Sequence, residues 1–348
     1  MGLTLALNTA RASLLATSSQ IAVSARNVAG ANDPGYSRKI ATLVAGSAGG
    51  ATVTITRAGD PALYARTLTA SSDAARGDAL LTGLTKLAQT IGDTDDTSAP
   101  AARLSIFQAA LQAAANQPDN TQLARDAVEA AKALAGSLNQ AADTVHAVRA
   151  EADAGIGDAV GRINDLLGRF DAANRAVVKA TALGGDATDA LDDRDRILTA
   201  LSQEIGVTAV SREGGDMALY TDGGVTLFER GPRTVAFSPT STFAAGTVGG
   251  SVTIDGVPVS GAASPMPLTS GRIAGLAALR DGAAVAYEAQ LDAVAGGLIG
   301  AFAESDTSLI DSGPRAGLFT AGGSAFLPTA TAAGRTCLAA SLAVNAAG

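Results

Sequence analysis

The chain has 348 residues, room for two or three domains at about 150 residues each. Its net charge is −8, so it lacks the basic footprint of a nucleic-acid binder, and no nucleic-acid partner is expected. One histidine (His146) and one cysteine (Cys337) exclude a His/Cys zinc site and a disulfide framework. Alanine accounts for 78 of the residues, against eight Phe, four Tyr and no Trp. Such a chain cannot rest on a large aromatic core; it suits long helices packed through small side chains.

The first turn, Met1-Gly2-Leu3-Thr4-Leu5-Ala6-Leu7, has no basic residue, and Asn8 and Arg11 interrupt its apolar run. It does not read as a cleavable signal peptide. No uninterrupted apolar stretch reaches the roughly 18 residues of a membrane span, so no membrane partner is expected.

Residues 3–31 predict a helix. Leu7, Leu14, Ile21 and Val28 recur every seventh position, with Leu3, Ala10, Thr17 and Ser24 as a smaller companion seam. A seven-residue repeat predicts coiled-coil packing, close-fitting because the second seam is small. The pattern stops at Asn32-Asp33-Pro34-Gly35-Tyr36, where Pro34 disfavours helix at Asp33. Strands are predicted at 38–46 and 51–57, the second alternating at period two, with Gly46 to Gly50 as their loop.

Asp60-Pro61 is a helix start, with Asp as N-cap and Pro in the first turn. Helices are predicted at 61–91, 99–116 and 121–180, the last with possible kinks at Gly155, Gly157 and Gly161. The acidic group Asp93, Asp95 and Asp96 lacks the glycine and distal glutamate of a calcium loop and reads as a solvated turn. Pro118-Asp119-Asn120-Thr121 breaks one helix and caps the next. A further helix is predicted at 189–204. From Gly206 the composition shifts to Thr, Val, Gly and Ser, predicting short strands at 207–212, 217–221, 225–229, 233–237 and 251–259, with hairpin turn chemistry at Asp222-Gly223 and Asp255-Gly256. Helices return at 272–282 and 284–303, and Leu338–Val344 predicts a strand in the tail.

The fold class is therefore mainly α: an elongated helical bundle with an N-terminal coiled-coil helix and a small β module, α+β overall. The expected organisation is 1–37 as the coiled-coil segment, 38–205 as a hairpin plus helical domain, and 206–269 as the β module. Residues 270–305 are the returning helices of the helical domain and 306–348 a Gly/Ala/Thr-rich tail.

No P-loop, dinucleotide fingerprint, nucleophile elbow or helical pair of metal ligands is present. The densest charged run, Asp192-Asp193-Arg194-Asp195-Arg196, reads as salt bridges near a helix N-terminus more readily than as an acid–base pair. No catalytic, cofactor-binding or metal residue is assigned, and the chain reads as structural, not as an enzyme.

The run Asn27-Val28-Ala29-Gly30-Ala31-Asn32-Asp33-Pro34-Gly35-Tyr36-Ser37-Arg38 resembles the N-terminal signature of bacterial flagellar rod, hook and hook-associated proteins. Leu191 through Ser202, Ser270 through Asp281 and Gln290 through Ala295 follow in the order seen in the FlgK family, the first hook-associated proteins. Pro118 through Arg125 matches that family's break before its long helix.

The resemblance implies an extracellular structural protein of the flagellum, exported by the type III apparatus without cleavage and joining hook to filament. A hook or rod protein is the alternative. Implied partners are further copies in a ring, the hook protein, a second junction protein on the filament side and an export chaperone. Leu3, Leu7, Ala10, Leu14, Ile21 and Val28 would pack between subunits. Asn27, Asn32, Pro34, Gly35, Tyr36, Ser37 and Arg38 would form the turn. The family's second heptad helix does not occur before Gly348, so the chain reads as truncated there or as naturally lacking that helix, and the helix at 3–31 is expected to make few apolar contacts within the chain.

Overall fold

The computed structural model describes residues 2–45, 51–92, 96–244, 246–304, 315–324, 327–328 and 337–345. The expected loop at Gly46 to Gly50 and the acidic residues Asp93 and Asp95 lie outside them. The fold is mainly α with small sheets, and the chain divides into two compact units.

The first unit comprises residues 1–76, 159–236 and 252–274. It opens with α1 (Gly2–Ala29), which is rich in alanine and contains no proline. Strands β1 (Lys39–Ala45) and β2 (Ala51–Arg57) form an antiparallel hairpin, with Lys39 opposite Arg57 and Leu43 opposite Val53. Helix α2 (Pro61–Ile91) begins here, capped by Asp60 Oδ1, which accepts the amides of Ala62 (2.8 Å) and Leu63 (3.2 Å). The C-terminal part of α4 (Thr121–Ala182) and all of α5 (Thr188–Glu204) supply the helical core. Ile163, Leu167, Leu198 and Leu201 are fully buried, and Phe170 meets Phe228 edge-on at 5.0 Å.

The predicted β module is two three-stranded sheets. Strands β3 (Val207–Ser211), β4 (Met217–Thr221) and β5 (Thr226–Phe228) form the first; β6 (Val235–Ala236), β7 (Thr253–Ile254) and β8 (Val257–Pro258) the second. The stretch predicted at 251–259 is the β7–β8 hairpin, turning where Asp255-Gly256 supplied the turn chemistry. Asp255 (φ 48°) and Gly256 (φ 84°) turn the chain there in the left-handed region.

The second unit comprises residues 77–158, 237–251 and 275–348. It holds the rest of α2, α3 (Pro100–Asn116) and the N-terminal part of α4, whose cap is Asn120 Oδ1 on the Gln122 amide (3.1 Å). Leu134, Leu138, Val145 and Ile156 are buried. Phe107, Phe302 and Phe319 pack with ring centroids 5.4 to 5.6 Å apart. Here α4 runs unbroken through Gly155 and Gly157, contrary to the expected kinks. A Cβ at Gly155 would lie 3.1 Å from Leu276, so this glycine permits close approach and does not bend the helix.

The two helices predicted at 272–282 and 284–303 are one run: α6 (Gly271–Ala278), a π turn at Leu279–Ala283 and α7 (Ala284–Ala301). The π turn carries Arg280, fully buried, whose Nη1 donates to Asp153 Oδ1 (2.5 Å) and Nη2 to the Gly250 carbonyl (2.9 Å). Buried Arg149 donates to the Thr247 carbonyl (2.5 Å) and to Glu288 Oε2 (3.3 Å). Glu288 also meets His146 Nε2 at 2.9 Å. The two arginines thus fasten the segment 237–251 by its backbone oxygens.

The strand predicted over Leu338–Val344 is half right. Residues Leu338–Ser341 form a helical turn, α8, because the Asp292 carboxylate accepts the amides of Cys337 and Ala339 (both 2.9 Å). Strand β10 (Leu342–Val344) then pairs with β9 (Phe319–Ala321), which the sequence pattern did not reveal. Among the described residues no helix is long and apolar enough to cross a membrane.

Candidate functional site

The predicted seam of α1 lies open. Leu3, Leu7, Leu14, Ile21 and Val28 are 65 to 87% exposed, and Ala10 is exposed as well. The face that packs on β1 and β2 is a different one, centred on Ala16 and Val23, which are 4% and 3% exposed. Two residues' offset turns a helix by about 200°, so Ala16 and Val23 sit opposite Leu14 and Ile21. The helix therefore meets its own hairpin through small residues and turns its large apolar residues to solvent.

The turn after α1 is organised by Asn27, which is three-way bonded. Its Oδ1 accepts from the Tyr36 hydroxyl (2.8 Å) and the Lys39 amide (2.8 Å), and its Nδ2 donates to the Lys39 carbonyl (2.9 Å). One side chain thus ties the last helical turn to the start of β1. Gly30 lies under the Tyr36 ring, where an added Cβ would come within 2.5 Å of Cγ. Asp33 Oδ1 accepts the Gly35 amide at 2.8 Å, and its other oxygen meets Arg196 Nη2 at 2.6 Å. The Gly35 amide, with the Arg196 guanidinium, holds the Asp33 carboxyl below its usual range. The Arg196 side chain lies across Gly35, where an added Cβ would sit 2.5 Å from Nε and push that side chain aside. Asn32, Pro34 and Arg38 are exposed on the turn, and Ser37 is half-buried.

Beneath the turn, α5 presents carboxylates at three-residue steps on one face. Asp189 and Asp192 both meet Lys39 Nζ, the second at 3.6 Å. Asp192 and Asp195 both meet Arg57 Nη1, at 3.0 and 2.7 Å. Asp186, at the head of the helix, meets Arg26 at 3.0 Å. Lys39 and Asp192 are buried, and the Lys39 ammonium also lies 4.7 Å from the Tyr36 ring centroid. Burial pushes the Asp195 carboxyl up from its ordinary value, while Arg57 pulls against it. Tyr64 of α2 donates to the Asp195 carbonyl at 2.6 Å.

The charged run at 192–196 is thus a salt-bridge cluster, as its alternation suggested, but most of its partners are distant in sequence. Only Arg196–Asp193 (2.7 Å) closes within it. Lys39, Arg57, Arg26, Asp186 and Asp189 escaped the sequence reading. The available signal was that the charges of the predicted hairpin, Arg38, Lys39 and Arg57, all stand where its first strand begins and its second ends. Among the described residues no group of His, Cys, Asp or Glu is arranged to hold a metal ion.

Fold and site together define a mainly helical protein that turns one apolar helix face to solvent. Residues 84–318 match the family described as the flagellar hook-associated protein FlgK helical domain. The flagellar hook junction protein FlgK from Burkholderia pseudomallei has a similar structure, with a TM-score of 0.57 and 24% identity. That match covers 74% of this chain and 47% of the Burkholderia one, so the chain spans about half of that protein's length. No curated protein matches the sequence. The family match extends over most of the chain, which belongs to the FlgK family of flagellar hook-associated proteins.

Proposed function

We propose that the chain is a structural component of the bacterial flagellum at the junction of hook and filament, and that α1 is the surface through which it assembles. The observation that carries this reading is the exposed row Leu3, Leu7, Leu14, Ile21 and Val28, on a helix whose opposite face is already occupied. Each such side chain gains about 1.5–3 kcal/mol when fully buried. A seven-residue spacing suits a partner helix.

On this reading residues 1–37 are the assembly segment. Copies of the chain associate in a ring, with the hook protein on one side and a second junction protein on the other. The turn from Asn27 to Arg38 sets the angle at which the chain leaves the assembly helix. The role is mechanical, without catalysis. The protein reaches the cell exterior through the flagellar export apparatus, accompanied by a chaperone, without cleavage. A hook or rod protein is not favoured, because the family match is to the helical domain of FlgK.

The test is complementation of a strain deleted for this gene. The wild-type gene should restore motility and filament attachment, and a gene carrying Leu14→Glu and Ile21→Glu should restore neither. Full motility with the doubly substituted gene would refute the assignment of α1.

A further inference from the structure

We infer that residues 2–57 form a module able to lift as one piece from the rest of their compact unit, held by an ionic latch on α5. The inference stands apart from the flagellar assignment.

The latch has one cation from each element of the module. Arg26 of α1 meets Asp186 (3.0 Å) and Asp189 (3.3 Å). Lys39 of β1 meets Asp189 and Asp192. Arg57 of β2 meets Asp192 (3.0 Å) and Asp195 (2.7 Å). A seventh pair runs with opposite polarity, Asp33 of the turn to Arg196 of α5. All the receiving groups except Asp186 lie on α5, Asp189, Asp192 and Asp195 at three-residue steps with Arg196 next to the last, so one helix carries nearly the whole latch.

Little apolar surface supplements these pairs. On α1 only Ala16 and Val23 are buried among its described side chains, while Ile40, Leu43 and Val44 of β1 are exposed. The hold is therefore mainly electrostatic, and buried ion pairs return little beyond the cost of their desolvation. Lys39 and Asp192 are both buried, and one oxygen of Asp192 has no hydrogen-bond partner, the Lys39 ammonium standing 3.6 Å away. By contrast, α5 is fixed to the core through Ile197, Leu198 and Leu201, on residues that do not enter the latch. Lifting the module leaves α5 in place and returns its charges to water, where added salt screens them. The opening costs far less than unfolding the unit.

Native-state hydrogen exchange on the whole protein tests this, at low and high sodium chloride (about 0.05 and 0.5 M, Debye lengths of roughly 14 and 4 Å). Once off α5, the two-stranded hairpin has no further strand to support it and is marginal in water, so lifting is followed by its opening: amides of β1 and β2 should exchange together and lose roughly tenfold protection in high salt, while those of residues 197–202 stay unchanged. Asp189→Asn removes one exposed carboxylate and should raise the low-salt exchange of β1 and β2 severalfold while shrinking its salt dependence. Equal protection of the hairpin and α5 at both salt concentrations would overturn the inference. So would an Asp189→Asn protein whose hairpin exchanges like wild type.

Discussion

Two helices of this chain carry regular apolar periods and meet opposite fates. Along α4, Leu134, Leu138, Val145, Ile156, Ile163, Leu167 and Phe170 are all at most 1% exposed. Along α1, Leu3, Leu7, Leu14, Ile21 and Val28 are at least 65% exposed. Periodicity announces which face of a helix seeks cover; it does not announce whether the chain itself supplies that cover. In α4 the face is consumed in folding, and in α1 it remains available to another molecule.

Substitutions that treat the two faces alike should separate them. The largest effect is expected for Phe170→Ala or Ile156→Ala in α4, where the loss should be about 3–5 and about 2–5 kcal/mol respectively by urea denaturation. Ile21→Ala in α1 should shift the same curve by less than about 0.5 kcal/mol. A comparable loss at both positions would erase the distinction.

Next comes the turn that joins α1 to its hairpin. Gly30→Ala drives a methyl group into the Tyr36 ring and should displace the ring from Asn27. A loss of about 1–3 kcal/mol is expected, the usual scale of overpacking. Asn27→Ala should cost a similar amount, because it strands the Lys39 amide and carbonyl in a half-buried site. Hydrogen exchange at Lys39 reports this loss directly. If both variants are as stable as wild type, the turn does not organise the segment.

The smallest effect is a pH dependence. The Asp33 carboxyl titrates below its ordinary value, so its ionised form favours the folded state. That contribution is present above the ordinary carboxylate range, near pH 3.9, and fades as pH falls through the depressed folded value. Asp33→Asn should flatten this acid limb slightly. An NMR titration placing Asp33 at or above the ordinary value would remove the prediction.

Much of the architecture was legible beforehand. Helix α2 and strand β2 begin and end where Asp60-Pro61, Gly92 and the alternation of Thr52 to Thr56 place them. Such signals are local, and local chemistry decided those boundaries. What remained hidden depends on distant partners. The helical turn at Leu338–Ser341 exists because Asp292 accepts its amides, and no pattern within 338–344 reveals that. The continuous run through 271–301 was divided at Gly282 by the sequence reading, whereas the π turn absorbs the irregularity and buries Arg280. In the site, the motif from Asn27 to Arg38 was visible as a turn. The acidic ladder beneath it was visible only as a run of charges, since its cations lie well over a hundred residues away.

On the proposed assignment, the exposed row of α1 serves other molecules and not this chain's own stability. The most direct measurement pairs two readouts on Leu14→Glu/Ile21→Glu: urea denaturation of the purified protein, and filament attachment in a complemented deletion strain. Unfolding within about 0.5 kcal/mol of wild type, together with loss of attached filaments, is the expected result. Clear destabilisation with filaments still attached would contradict it.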